Sequence, residues 1–233
     1  MLASFIAIHN EGPYNLALYD NSTNDETAKL LEEAGVPFIT NGASCHGPTI
    51  NKALNACKTD IALIVDTDII FLQSIQQFIN TFKKHPHVAA IGTISGSRGS
   101  GKNVHPRLDP WFMFINVALI KKFGITFYSK RKVSNDIIYD VGSSFLEDLA
   151  KHNLQVLAVQ GMEKFATHWE GLSWYTHKYT VSGAIGDLDV DPSAMHNDKI
   201  LYDRGIKREI DYQSEVIKYQ DISLRGKFVS SIT

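Results

Sequence analysis

Cysteine occurs only twice in 233 residues, at Cys45 and Cys57, too few for a disulfide framework or a cysteine zinc site. No apolar run approaches the ~20 residues that span a bilayer. An excess of one charge is also missing. Lys and Arg number 23 against 25 Asp and Glu, a net charge of −2, so the basic footprint of a nucleic-acid binder is absent. The apolar start, Met1 to Ile8, has no charged region and no cleavage site, and runs into His9-Asn10-Glu11. It reads as a buried strand, not a signal peptide. What is present is ordinary globular material. A hydrophobic share of 44% with 10% aromatics argues against disorder, and the length suits one domain with a core that needs no staples. The expectation is a soluble cytoplasmic protein with no nucleic-acid partner and no transmembrane segment.

Short apolar runs at 2–8 and 15–20 read as buried strands. Thr23 and Glu26 have capping-box spacing ahead of a helix that runs to Gly35. A brief strand at 37–40 follows. Ile50, Ala53, Leu54 and Cys57 then mark one helical face. The continuous run Ile61 to Val65 predicts a strand covered on both sides. Ile75, Phe78, Ile79 and Phe82 form a second helical face, stopped at Pro86. Strands are expected at 88–94 and 111–116, helices at 117–123 and 143–152, two short strands within 154–168, and a helix at 207–219. Residues 95–110 and 129–139 read as loops. Strands alternating with helices predict an α/β domain with a mainly parallel central sheet and helices on both faces.

The sharpest chemical signal is Asp66-Thr67-Asp68, directly after the apolar run. Residues i and i+2 of an extended chain point to one side. Both carboxylates can therefore meet one cation at the carboxyl end of a buried strand, where open α/β sheets bind ligands. Oxygen ligands favour Mg²⁺ or Mn²⁺, which bridge to substrate phosphates.

Around this motif the order of segments resembles the GT-A glycosyltransferases, especially family-2-like members. Tyr19-Asp20-Asn21-Ser22-Thr23-Asn24-Asp25-Glu26-Thr27 is similar to that family's strand-end signature, and the loop and helix containing Asn51 to its asparagine-bearing segment. Asp66-Thr67-Asp68 stands in the place of its metal motif. Pro110 to Asn116 resembles the strand after the acceptor-side loop, and His168-Trp169-Glu170-Gly171-Leu172-Ser173 the His-x-x-Gly-x-Ser ending. The short length is similar to the compact GT-A domains of large viruses and phages, which would mean the host cytoplasm. The resemblance implies transfer of a sugar from a nucleotide-sugar donor, with UDP the expected nucleotide, to a hydroxyl on a glycan, lipid or protein.

It also implies residue roles. Asp20 would meet the nucleobase, with Asn10 and Asn21 beside the nucleotide. Asp66 would face ribose and metal, Asp68 would bind the Mn²⁺ or Mg²⁺ ion, and His168 would be a third ligand. Asp140 stands where an inverting enzyme keeps its base, although at a helix start it equally suits a cap. Family members carry a helix between their first two strands. Here only residues 10–14 join the expected strands, too few for a parallel crossover, so the first strands form a hairpin or the run at 2–8 lies elsewhere.

Several look-alikes are excluded. Gly96 to Asn103 nearly spells a phosphate loop, but Asn103 replaces the metal-binding hydroxyl and Pro106 blocks the required helix. A loop closing over the substrate, with Arg98 and Lys102 for phosphate, fits better. Asp187 to Asp198 lacks the glycine of a calcium loop. Glu147-Asp148 reads as a solvated helix face. Trp111, Trp169, Trp174, Tyr175 and His177 are core residues or sugar platforms.

The domain expectation is a transferase domain over 1–181 and a polar extension over 182–233, serving as lid or as contact in a homo-oligomer. Two other readings stand beside it, a sugar-phosphate nucleotidyltransferase and a non-catalytic carbohydrate-binding module on the same fold. The first lacks its Gly- and Arg-rich loop at Asn10 to Pro13.

Overall fold

The computed structural model describes residues 1–21, 25–42, 46–96, 103–128, 137–138, 140–169 and 211–231. Its elements run α1 (Leu2–Ile8), β1 (Tyr14–Leu16), β2 (Tyr19–Asp20), α2 (Glu26–Glu33), β3 (Ile39–Thr40) and α3 (His46–Ala56). Then come β4 (Ile61–Val65), β5 (Ile69–Phe71), α4 (Gln76–Lys84), β6 (Val88–Ser95), β7 (Asn103–Val104) and β8 (Arg107–Asn116). The rest are α5 (Val117–Phe123), β9 (Ile137–Ile138), α6 (Val141–Lys151), β10 (Gln155–Ala158), β11 (Ala166–His168) and β12 (Phe228–Ser230). A helical segment at 211–216 precedes β12.

The central sheet has the order β10-β6-β8-β4. β10 runs parallel to β6, while β8 runs antiparallel to both β6 and β4. Three of the four strands thus share one direction and β8 is reversed. Alternation along β8 feeds two cores. Met113 and Ile115 pack with Leu54, Ile120, Phe127, Phe145 and Leu149 from the side of α3, α5 and α6. Phe112 and Phe114 pack with Phe78, Phe82, Ile69 and Phe71 from the side of α4 and β5. Helices therefore cover both faces, as the alternating sequence pattern requires.

The first run departs from its expectation. Residues 2–8 form helix α1, not a strand. Short apolar runs do not distinguish the two by pattern alone, and here the packing partner decides. Ser4 Oγ donates to the Met1 carbonyl at 2.8 Å and accepts from the Phe71 amide at 3.1 Å, and His9 Nε2 accepts from the Ile75 amide at 3.1 Å. These bonds hold α1 against β5. The strand expected at 2–8 does not form, the one expected at 15–20 is split into β1 and β2, and no strand precedes β1 among the described residues.

Two glycines permit close approach that any side chain would block. A Cβ at Gly47 would stand 2.4 Å from the Phe127 carbonyl oxygen, and one at Gly142 only 2.2 Å from that of Leu108. α3 and α6 thereby dock tightly by their first turns. The strand at 228–230 has no counterpart in the sequence reading. It pairs parallel with β1, and the Ser231 amide donates to the Leu16 carbonyl at 3.0 Å. No helix among the described residues is long and apolar enough to cross a membrane.

Candidate active site

β4 ends at Val65 and the chain turns through Asp66 to Asp68 before entering β5. The Asp66 amide donates to the Trp111 carbonyl at 3.0 Å, which ties the turn to β8. β11 returns antiparallel to β5 with Ile69 opposite His168, and the Trp169 amide donates to the Asp68 carbonyl at 2.9 Å. A histidine from the far part of the chain is thus delivered to the acidic turn by strand pairing. His168 Nε2 lies 3.3 Å from Asp68 Oδ1 and 3.6 Å from Asp66 Oδ2. One ligand atom from each of Asp66, Asp68 and His168 falls within a mutual 4.8 Å. Trp111 stacks on the His168 ring.

Burial pushes the Asp66 carboxyl above its ordinary value; His46 opposes this, Asp68 adds to it, and His168 opposes it. A charged carboxylate here lacks full compensation, the condition a bound cation relieves. His46, in the first turn of α3, puts Nε2 3.8 Å from Asp66 Oδ1. The sequence reading had not selected it, because nothing local marks a histidine 20 residues upstream as a neighbour of the turn.

Asp20, at the end of β2, is 6% exposed. Asn21 accepts from Asn41 Nδ2 at 3.0 Å, and the same nitrogen reaches Thr49 Oγ1 at 3.2 Å. Lys52 Nζ donates to Asn41 Oδ1 at 3.0 Å and stands 5.4 Å from the centre of the Tyr19 ring. Asn41 and Lys52 were missed by the sequence reading. Asn10 lies between α1 and β1, and its side chain accepts from Lys227 Nζ at 3.4 Å. Asn51 clamps the backbone of Phe127, donating to its carbonyl at 3.1 Å and accepting from its amide at 2.8 Å.

Asp140 caps α6, its Oδ1 accepting from the Ser143 amide at 2.8 Å, while Oδ2 is held by Arg107 Nη1. Arg107 Nε also meets Asp109 Oδ1 at 2.9 Å, and Ser95 Oγ donates to that oxygen at 2.6 Å. Burial works against the Arg107 charge, but Asp140 and Asp109 outweigh it and hold the guanidinium above its ordinary value. On α6, Glu147 and Asp148 both pair with Lys151, at 3.1 and 3.3 Å, as a solvated face does. Arg98, Lys102, Trp174, Tyr175, His177, the capping Thr23 and the acidic run 187–198 lie outside the described residues.

The described residues thus form a mixed α/β sheet with acids at a strand end and a histidine folded back onto them. The model of glycosyl transferase family 2 matches residues 1–146, and the chain belongs to that family. Among solved structures, S. aureus TarS 1-349 is similar at 16% identity with a TM-score of 0.49, covering 95% of this chain and 70% of that one. TarS 1-349 in complex with UDP-GlcNAc aligns at 16% identity and a TM-score of 0.41, covering 95% and 71%. No curated protein matches the chain.

Proposed function

We propose that the protein transfers a sugar from a UDP-linked donor to a hydroxyl of a glycan, lipid or protein, with Mn²⁺ or Mg²⁺ at Asp66, Asp68 and His168. The observation that carries this reading is the grouping of those three side chains within 4.8 Å at the carboxyl end of β4. The donor set fits the ion. Ligand atoms around an octahedral ion with ~2.1 Å bonds stand roughly 3 to 4 Å apart, and the pairs here are spaced 3.3 and 3.6 Å. When bound, the metal supplies Lewis-acid stabilisation of the charge on the departing nucleoside diphosphate.

The chain's own residues do the rest. Asp68 and His168 hold the ion, and Asp66 shares it or faces the ribose. Asp20, with Asn21 beside it and Asn41 and Lys52 behind, receives the nucleobase end of the donor. Asp140, aimed by Arg107, accepts the acceptor's proton in an inverting reaction or orients that hydroxyl in a retaining one. Residues 1–181 form the transferase domain, and 182–233 an extension whose described part lies against it.

The test is a thermal-shift panel of UDP-, GDP- and dTDP-sugars with and without Mn²⁺. A stabilisation by UDP-sugars that depends on the metal is expected. No metal-dependent shift with any donor would sink the reading.

A further inference from the structure

The parallel strands β2 and β3 end on a rim of polar side chains. Tyr19 and Asp20 stand opposite Ile39 and Thr40, and the Asn41 backbone amide donates to the Asp20 carbonyl at 2.9 Å, which carries the register one step further. Asn21 and Asn41 therefore leave the two strands side by side. With Asp20 they surround one carboxyl end, the place where α/β sheets receive ligands. Thr49 and Lys52 of α3 reach the same rim.

The chemistry of the groups gives these hydrogen bonds a direction. An ammonium only donates, so the Asn41 atom 3.0 Å from Lys52 Nζ is the amide oxygen. The Asn41 nitrogen is then the end that faces Thr49 Oγ1 at 3.2 Å and Asn21 at 3.0 Å. That nitrogen only donates, so Asn21 meets it with its own side-chain oxygen. Two amides whose shape lets each sit either way round are thus turned by one ammonium. Lys52 is held in its turn by Tyr19, with Nζ 5.4 Å from the ring centre, a cation over an aromatic face. The series from Lys52 through Asn41 leaves the Asn21 NH₂ as the end turned away from Asn41, next in sequence to the Asp20 carboxylate.

A donor beside an acceptor selects among nucleobases. Uracil offers the complementary pair, a C4 carbonyl beside an N3–H. Cytosine offers the reverse, an amino group beside a bare N3, and would set donor against donor and acceptor against acceptor. We propose that Asn41 determines specificity for the donor's base. Turned by Lys52, it holds Asn21 as a hydrogen-bond donor, and so makes the site accept uracil and reject cytosine. Asn41 is a positioning residue, since it acts through Asn21. The proposal rests on the transfer reading above, in which Asp20 receives the base.

The experiment is calorimetry of UDP and of CDP, each with Mn²⁺, on the full chain and three variants. The two nucleotides carry the same phosphates and charge, so their affinity ratio cancels effects on the metal and reports on the base. The parent should bind UDP more tightly than CDP. Asn41→Asp keeps the size and the Lys52 contact but has no donor. Asn21 must then give its NH₂ to the new carboxylate and turn its oxygen to the base. The UDP-to-CDP ratio should fall about tenfold, the effect of one hydrogen bond replaced by two opposed acceptors. Lys52→Met removes the group that fixes both amides and should lower the ratio about threefold. Lys52→Arg, again a donor only, should keep the parent ratio. Lys52 is exposed, so its two variants keep the fold and decide the matter even where Asn41→Asp does not fold. A merely structural role would weaken both nucleotides together, and an unmoved ratio in Asn41→Asp and Lys52→Met overturns the proposal. Equal binding of UDP and CDP by the parent overturns it while the transfer reading stands. Binding of neither nucleotide by the parent overturns the transfer reading, and this proposal with it.

Discussion

Trp111 lies flat against His168, the ring centroids 4.8 Å apart and the planes 11° from parallel. The indole comes from β8 and the imidazole from β11, so two separate strands fix one ring. Stacking of this kind sets which way Nε2 points, and Nε2 is the atom that meets both carboxylates. Trp111→Ala should therefore weaken Mn²⁺ binding by roughly 10- to 100-fold, the range for lost support around a ligand, while all three ligands remain. Titration calorimetry of Mn²⁺ measures it, and an unchanged affinity would show that the stack has no part in the site.

Asp68→Asn should abolish the metal-dependent UDP shift and leave the far-ultraviolet spectrum intact. The carboxylate sits in a turn at the strand end, outside both cores, so its loss removes a ligand without opening a cavity. A variant that still responds to UDP and Mn²⁺ together would move the metal away from this turn.

The Asp66 carboxyl carries a signed pH effect. Its folded value lies above the ordinary 3.8, chiefly through burial, so the folded state favours the protonated form. In metal-free protein this group costs stability at neutral pH, and the cost disappears as pH falls below the ordinary value. Asp66→Asn should thus raise the melting midpoint at pH 7 without metal and give no gain near pH 3.5. Mn²⁺ should stabilise the parent and not the variant. Equal differences at both pH values would contradict the burial argument.

Arg107 joins two carboxylates, one of which, Asp109, is only 1% exposed. Arg107→Met leaves Asp109 buried without its cation, a change that costs about 3–5 kcal/mol. For a chain of this size that corresponds to a fall of roughly 10 °C in the midpoint. Arg107→Lys should recover part of it, since one ammonium cannot reproduce a fork that serves both acids. A midpoint within a degree or two of the parent would mean the pairs are solvent-screened.

Gly142→Ala places a methyl 2.2 Å from the Leu108 carbonyl oxygen. Backbone cannot give way as a flexible side chain does, so α6 must shift outward, at about 1–3 kcal/mol. The shift also moves Asp140 off Arg107. Transfer should fall more than donor binding does, which steady-state kinetics on the two steps would reveal.

The sequence made some of this legible and hid the rest for physical reasons. Helical faces such as Ile75, Phe78 and Phe82 were visible because burial imposes a period, and α4 lies at Gln76–Lys84. Asp66 and Asp68 were visible because two acids following a buried run demand an explanation. The run at 2–8 was not, since six apolar residues around one serine satisfy helix and strand alike until a neighbour is known. β12 is three residues long, below what alternation can signal. His46, Asn41, Lys52 and the Arg107 contacts join the site only through distant parts of the chain, and no local pattern encodes such meetings.

The ladder between β5 and β11 imposes a register rule on the chain between the acids and the histidine. Strand side chains alternate, so a register slip of one residue in β11 would present Thr167 or Trp169 where His168 now stands and turn the imidazole away. A slip of two would restore the facing but carry the imidazole about 7 Å along the ladder, out of reach of the acids. Length variation in the Gln160–Phe165 stretch is therefore tolerable only where the turn absorbs it and leaves the register of β11 on β5 unchanged.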